Sequence, residues 1–112
     1  MQNRSVGYEG EQVAKNHYEN DGYLLVDQNF ATNTGEIDLI LQKNNTLVFV
    51  EVKIVDGIDD LHDYITKKKL KYLEKTIQYY LQKHYHQGEI RIDVVFVKKG
   101  KVFEVYEGVE LN

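Results

Sequence analysis

Charged side chains are uncommon inside strongly apolar strand sequence, and two neighbouring stretches of this chain carry them. In Val48-Phe49-Val50-Glu51-Val52-Lys53-Ile54, the two-residue strand repeat puts Phe49, Glu51 and Lys53 on one face. Val48, Val50, Val52 and Ile54 take the other. Upstream, Asp38 stands between Ile37 and Leu39 and shares a face with Glu36 and Ile40. Counting outward from a turn centred between Asn44 and Asn45 sets Asp38 opposite Glu51. Two carboxylates and a lysine then converge, and buried charge is costly unless it is paired or bound to a metal. Asp38 and Glu51 can hold Mg²⁺ (or Mn²⁺), a hard cation that wants oxygen, with the backbone carbonyl of Val52 as a further ligand. Metal lowers the pKa of a bound water, and Lys53 can orient that water or meet the charge that develops on a phosphate. This is apparatus for phosphodiester hydrolysis. Spacing alone slightly favours a plainer arrangement, an ion pair of Glu51 with Lys53 and a strand-end role for Asp38.

The elements that must position these groups follow from periodicity. Residues 5–20 read as a helix with Val6, Val13, His17 and Tyr18 on one stripe and Gly22 at its end. Gly7 and Gly10 weaken its start by about 1 kcal/mol each relative to alanine. A short strand is expected at 23–26, then a polar loop at 29–35 in which Phe30 is the residue apt for burial. Residues 36–42 and 46–54 are the strongest strands, rich in β-branched side chains and joined by a turn at 43–45. An acidic loop at 56–63 leads to a helix over about 64–85, with Leu70, Leu73, Ile77, Tyr80 and Leu81 as its inward stripe. Strands at 90–97 and 102–106 close the chain around Lys99-Gly100. The order α-β-β-β-α-β-β gives an α/β fold: a three-strand meander, a crossover helix, then a strand parallel to the third. One mixed sheet with helices packed on it is expected.

Composition narrows the classes. A chain of 112 residues suits one domain, here 1–112. With 42% hydrophobic and 12% aromatic residues it is not a disordered chain. No apolar run is long enough to span a bilayer, and the N-terminus has no signal-like apolar stretch, so a soluble cytoplasmic protein is expected. The absence of cysteine excludes disulfides, thiolate metal sites and cysteine nucleophiles together. The net charge of −4 opposes a polyanion, so any nucleic-acid contact must come from local charge placement.

At these same residues the sequence resembles a known group. Gly35-Glu36-Ile37-Asp38-Leu39-Ile40 followed by Phe49-Val50-Glu51-Val52-Lys53 resembles the PD-(D/E)XK nuclease motif. It is closer still to the uncharacterised bacterial YraN-like family of predicted endonucleases, restriction-endonuclease-like proteins related to Holliday-junction resolvases. Gly7-Tyr8-Glu9-Gly10-Glu11-Gln12-Val13-Ala14 is similar to that family's opening G-x-x-G-E-x-x-A. Gly22-Tyr23, Asn29-Phe30, Ile65-Thr66 through Lys69 with Leu73, and Arg91-Ile92-Asp93-Val94-Val95 match its later landmarks, so the likeness runs nearly end to end. The resemblance implies a restriction-endonuclease-like fold and Mg²⁺-dependent cleavage of structured or damaged DNA. It gives Asp38 and Glu51 the metal, Lys53 the water, and adds Glu11 as a further carboxylate. The family's arginines before G-E-I-D are replaced here by Ala31-Thr32-Asn33-Thr34, and no second basic residue follows Lys53. The rival reading is a nucleic-acid-binding or protein-docking module that kept the fold without turnover.

Other residues offer less specific signals. Lys67, Lys68, Lys69, Lys71 and Lys75 form a basic cluster at the start of the long helix, and Lys68, Lys71 and Lys75 share one side, where they can track a phosphate backbone or form a solvated face. Tyr72, Tyr79, Tyr80 and Tyr85 can stack on bases, although core and rim packing is the more ordinary use. His62, His84 and His86 have no zinc-ligand arrangement. Asp93, in an otherwise apolar strand, can touch the metal site, although structural hydrogen bonding is its more ordinary use. A homodimer is compatible with a site that cuts one strand at a time.

Overall fold

The computed structural model describes residues 4–56 and 64–110, with side chains from Gly7 onward. The order is α1 (Arg4–Asn20), β1 (Leu24–Thr32), β2 (Gly35–Lys43), β3 (Thr46–Ile54), α2 (Lys67–Lys83), β4 (Glu89–Lys98) and β5 (Lys101–Tyr106). The five strands form one sheet in sequence order, and only β3 and β4 run parallel. This is the expected α/β arrangement. A parallel neighbour cannot be reached by a tight turn, so the crossover carries α2.

Each helix covers one face of the sheet. Ala14 and Tyr18 of α1 pack with Leu39, Leu41, Val48, Val50, Val95 and Val97. Leu73, Ile77 and Tyr80 of α2 pack with Ile40, Leu47 and Phe49 on the other face. The alternation read along 48–54 therefore holds. The inward stripe of α1 differs from the expected one: Gly10, Ala14 and Tyr18 are buried, Val13 is partly so, and His17 is exposed. Small residues occupy the stripe because the helix lies close on the sheet. A Cβ at Gly10 would come 2.7 Å from Ile54 Cδ1. That close approach is the return for its weak helix propensity.

Strand β1 runs on through Thr32, across most of the stretch expected as a loop. Its pairing with β2 from Leu24↔Gln42 to Thr32↔Gly35 holds polar residues extended at a sheet edge, which local propensity does not report. Gly35 begins β2 at φ +149°, a backbone geometry that L side chains rarely adopt. The second helix starts later than the periodicity suggests, because Thr66 caps it: the Thr66 hydroxyl accepts from the Lys69 amide at 3.2 Å. The acidic segment 57–63, with His62, lies outside the described residues.

Asp93 is fully buried on the α1 side, away from the predicted metal site. It accepts from Tyr18 Oη at 2.7 Å, Arg91 Nε at 2.9 Å, Arg91 Nη2 at 2.8 Å and the Gly108 amide at 3.1 Å. A buried carboxylate with four donors is a satisfied tie between helix, strand and C-terminal segment. Burial and this bond to Asp93 both push the Tyr18 hydroxyl's pKa up.

Candidate active site

The site forms where β2 parts from β3. The ladder between them runs from Lys43↔Thr46 to Leu39↔Val50, the register counted from the turn, and stops one step short of Asp38 and Glu51. Beyond that point Asp38 supplies the missing acceptor itself: its Oδ2 takes the Val52 amide at 2.7 Å. A strand residue's N–H and C=O leave on the same side. The Val52 carbonyl therefore also points toward the fork.

On the other side of β2, the register through Gln28↔Leu39 and Phe30↔Ile37 sets Asn29 opposite Asp38. Asn29 has φ 53°, in the left-handed region that asparagine tolerates better than most residues. From there its Nδ2 donates to Glu11 Oε1 and to Glu36 Oε1, both at 2.9 Å. One amide thus joins α1 to β2. Carboxylate oxygens of Glu11, Glu36 and Asp38 lie within 4.8 Å of one another. Ile40 packs under α2, whereas Glu36 and Asp38 turn into this cluster, so the three do not share one environment.

Glu51 and Lys53 leave β3 on the α2 side, with Lys53 Nζ 3.6 Å from Glu51 Oε1. They share with Glu36 and Asp38 a cleft of about 400 Å³ between the fork and α2. Burial is the main cause that raises the Asp38 pKa, followed by the charge of Glu51; the Val52 amide pulls the other way, and Glu11 and Glu36 add to the rise, leaving it pushed up to about 8. Glu51 is also raised, first by burial, with Lys53 opposing. Carboxyls held up in this manner within one cleft mark a place where a cation would be favourable. The donor set fits a hard divalent ion: carboxylate oxygens converge, and exposed Glu36 leaves room for retained waters.

Glu11, Asp38, Glu51 and Lys53 are thus brought to one region. Lys67, Lys68, Lys69 and Lys71 are all exposed; Lys69 lines the cleft, while Lys68 and Lys71 line a second groove on α2 with Lys75. Sequence reasoning missed Glu36 and Asn29 as members of the cluster. Glu36 had a signal, its place two residues before Asp38. Asn29 had only its place in the Asn29-Phe30 landmark, because its part depends on a left-handed backbone.

Fold and cleft together define a mixed α/β protein with a carboxylate-ringed cleft at a hairpin fork. The chain belongs to a family described as "Uncharacterised protein family UPF0102", whose pattern matches residues 10–97 and so spans the fork, α2 and β4. It is 34% identical over 109 residues to a UPF0102 protein of Persephonella marina, covering 95% of this chain and 94% of that one. It is 37% identical over 99 residues to one from Vibrio campbellii, covering 84% and 81%. A Helicobacter pylori relative, from strain P12, is 37% identical over 106 residues, covering 95% and 91%.

Proposed function

We propose that the chain is a metal-dependent endonuclease of the PD-(D/E)XK kind, hydrolysing phosphodiester bonds in structured or damaged DNA. The observation that carries this reading is the convergence of Glu11, Glu36 and Asp38 within 4.8 Å, with Glu51 and Lys53 in the cleft that Glu36 and Asp38 line. Asp38, Glu51 and the Val52 carbonyl, with Glu11 and Glu36 around them, would hold Mg²⁺ or Mn²⁺. When bound, the cation supplies a water of lowered pKa and neutralises charge on the phosphate.

The chain's own groups do the rest. The Val52 amide fixes the Asp38 carboxyl, so this ligand needs no reorganisation on binding. The Glu51 pairing holds Lys53 Nζ over the cleft, where it orients the attacking water and meets charge developing on phosphate oxygens. Asn29 keeps Glu11 and Glu36 from swinging apart. Lys69, at the α2 wall, offers a phosphate contact at the mouth. The 112 residues act as one domain, and a homodimer would present two clefts to two strands.

The Glu51–Lys53 pair at 3.6 Å also suits a binding module without turnover, since each partner then satisfies the other. One assay separates the two. Purified protein is incubated with junction, flap and single-stranded DNA in Mg²⁺ or Mn²⁺, beside a Glu51→Ala control. Cleavage that disappears in the control supports the enzyme; binding with no cleavage under either metal supports the module.

A further inference from the structure

We propose that the cleft and the neighbouring groove on α2 form one track for single-stranded nucleic acid, with Tyr72 as the surface on which an unpaired base stacks. The part that delivers a strand to the carboxylates rests on the nuclease reading. The two concavities, of about 400 and 390 Å³, share Tyr72 as a common wall. Tyr72 is 46% exposed, on a helix whose Tyr80 is 3% exposed and packed in the core. About half of Tyr72 is therefore open to a ligand.

The surroundings of Tyr72 suit a nucleotide strand. Lys68, Lys71 and Lys75 line the groove at i−4, i−1 and i+3 from it, so two of them are its helical neighbours. Phosphates on either side of a stacked base would meet them. Glu74 in the same groove is the opposing charge. Locally the balance is still strongly basic: α2 holds six of the chain's fourteen Lys and Arg residues against one of its eighteen acids. The net charge of −4 thus conceals a basic helix.

The cleft side argues for an unpaired strand rather than a duplex. Tyr64, Ile65, Leu70 and Leu73 line it beside Tyr72, opposite the carboxylates. A duplex presents phosphates and hides its bases, and it would gain little from an aliphatic and aromatic wall. An unstacked base gains area and stacking there. Thr34 and Thr76, in the same lining, bond to each other at 2.8 Å and brace that wall.

The test is binding without turnover. Asp38→Asn protein in EDTA is titrated into labelled oligo-dT, oligo-rU and a blunt duplex of equal length, read by fluorescence anisotropy. One or both single strands should bind more tightly than the duplex, the preferred arm naming the sugar. Adding Tyr72→Ala should weaken single-strand binding by roughly five- to 150-fold, the worth of one base–aromatic stack. Tyr72→Phe should keep it, as should Tyr79→Ala, a half-exposed tyrosine outside both linings. Duplex binding as tight as the better-bound single strand, or single-strand affinity unmoved by Tyr72→Ala, overturns the track. Cleavage by the wild-type protein with Mn²⁺ is scored separately. Tyr72-dependent binding with no cleavage rejects the nuclease reading and upholds the track; cutting of intact duplex that ignores Tyr72→Ala does the reverse.

Discussion

At the residue scale the informative group is Asp38, which both closes the strand and enters the carboxylate cluster. Its pKa is raised from 3.8 to about 8, so the folded protein keeps a proton that the unfolded chain releases between those values. The sign follows from linkage: this contribution to stability is full below about pH 4, declines as pH rises, and is gone above about pH 8. Without metal, Tm should fall across that window, and Asp38→Asn should flatten the fall. A wild-type Tm rising from pH 4 to 8 beside an unchanged Asp38→Asn profile would refute this. Lys53 predicts a different split. Lys53→Ala should leave metal binding in place while cleavage drops by about 10²–10³-fold, the usual cost of removing one donor to developing charge. Loss of both together would make Lys53 a structural partner of Glu51. Asp38, Glu51 and Lys53 are legible in the sequence because charge inside an apolar strand is conspicuous; Asn29 is not, because asparagine tolerates a φ of 53° without requiring it.

At the element scale, periodicity marks the helices and central strands, and pairing decides what periodicity cannot. The edge strand β1 is polar enough to read as loop, yet its hydrogen bonds to β2 extend it to Thr32. The α1 stripe departs from the expected one at His17 because a close helix–sheet contact selects small residues, Gly10 and Ala14, which carry little hydrophobic signal. The long helix is legible, since its apolar residues are large and regularly spaced. Its tyrosines divide: Tyr80 belongs to the core, whereas Tyr72 and Tyr79, like Tyr85 just beyond the helix, are exposed. On the sheet's other face, Asp93→Ala would leave the buried Tyr18 hydroxyl without its acceptor, reduce Arg91 to its contacts with Tyr23 and Glu107, and remove the tie among α1, β4 and the Gly108 segment. It should cost about 3–5 kcal/mol, as broken buried ion pairs do, measurable by urea unfolding. A cost below about 1 kcal/mol would mean that the network is dispensable. For α2, replacing Lys68 and Lys71 together by alanine should flatten the salt dependence of single-strand binding. The log–log slope should shrink by about 0.7 for each phosphate that a lysine no longer neutralises. An unchanged slope would return the lysines to a solvated face.

At the scale of the whole molecule, the fold separates its tasks across one sheet. The α1 face and the Asp93 network hold the structure, and the fork with α2 gathers carboxylates beside a basic helix. Among the described residues no helix is long and apolar enough to cross a membrane. Charge segregation explains how a chain of net charge −4 can approach a polyanion: it would do so by one side. The order of elements and the β2–β3 register are readable from the sequence, since both follow from local pattern and turn position. The parting of β2 from β3 is not, because it depends on Asp38 replacing a backbone acceptor. That parting opens the fork and lets Glu11 and Glu36 join. The central claim is that this cluster is a divalent-cation site, and thermal unfolding with and without Mn²⁺ tests it directly. At 100-fold excess over Kd the ion should stabilise the wild-type protein by about 2.7 kcal/mol, seen as a raised Tm. Asp38→Asn should lose most of that rise. A wild-type melting curve unmoved by millimolar Mn²⁺ and Mg²⁺, or a rise undiminished in Asp38→Asn, would contradict the account.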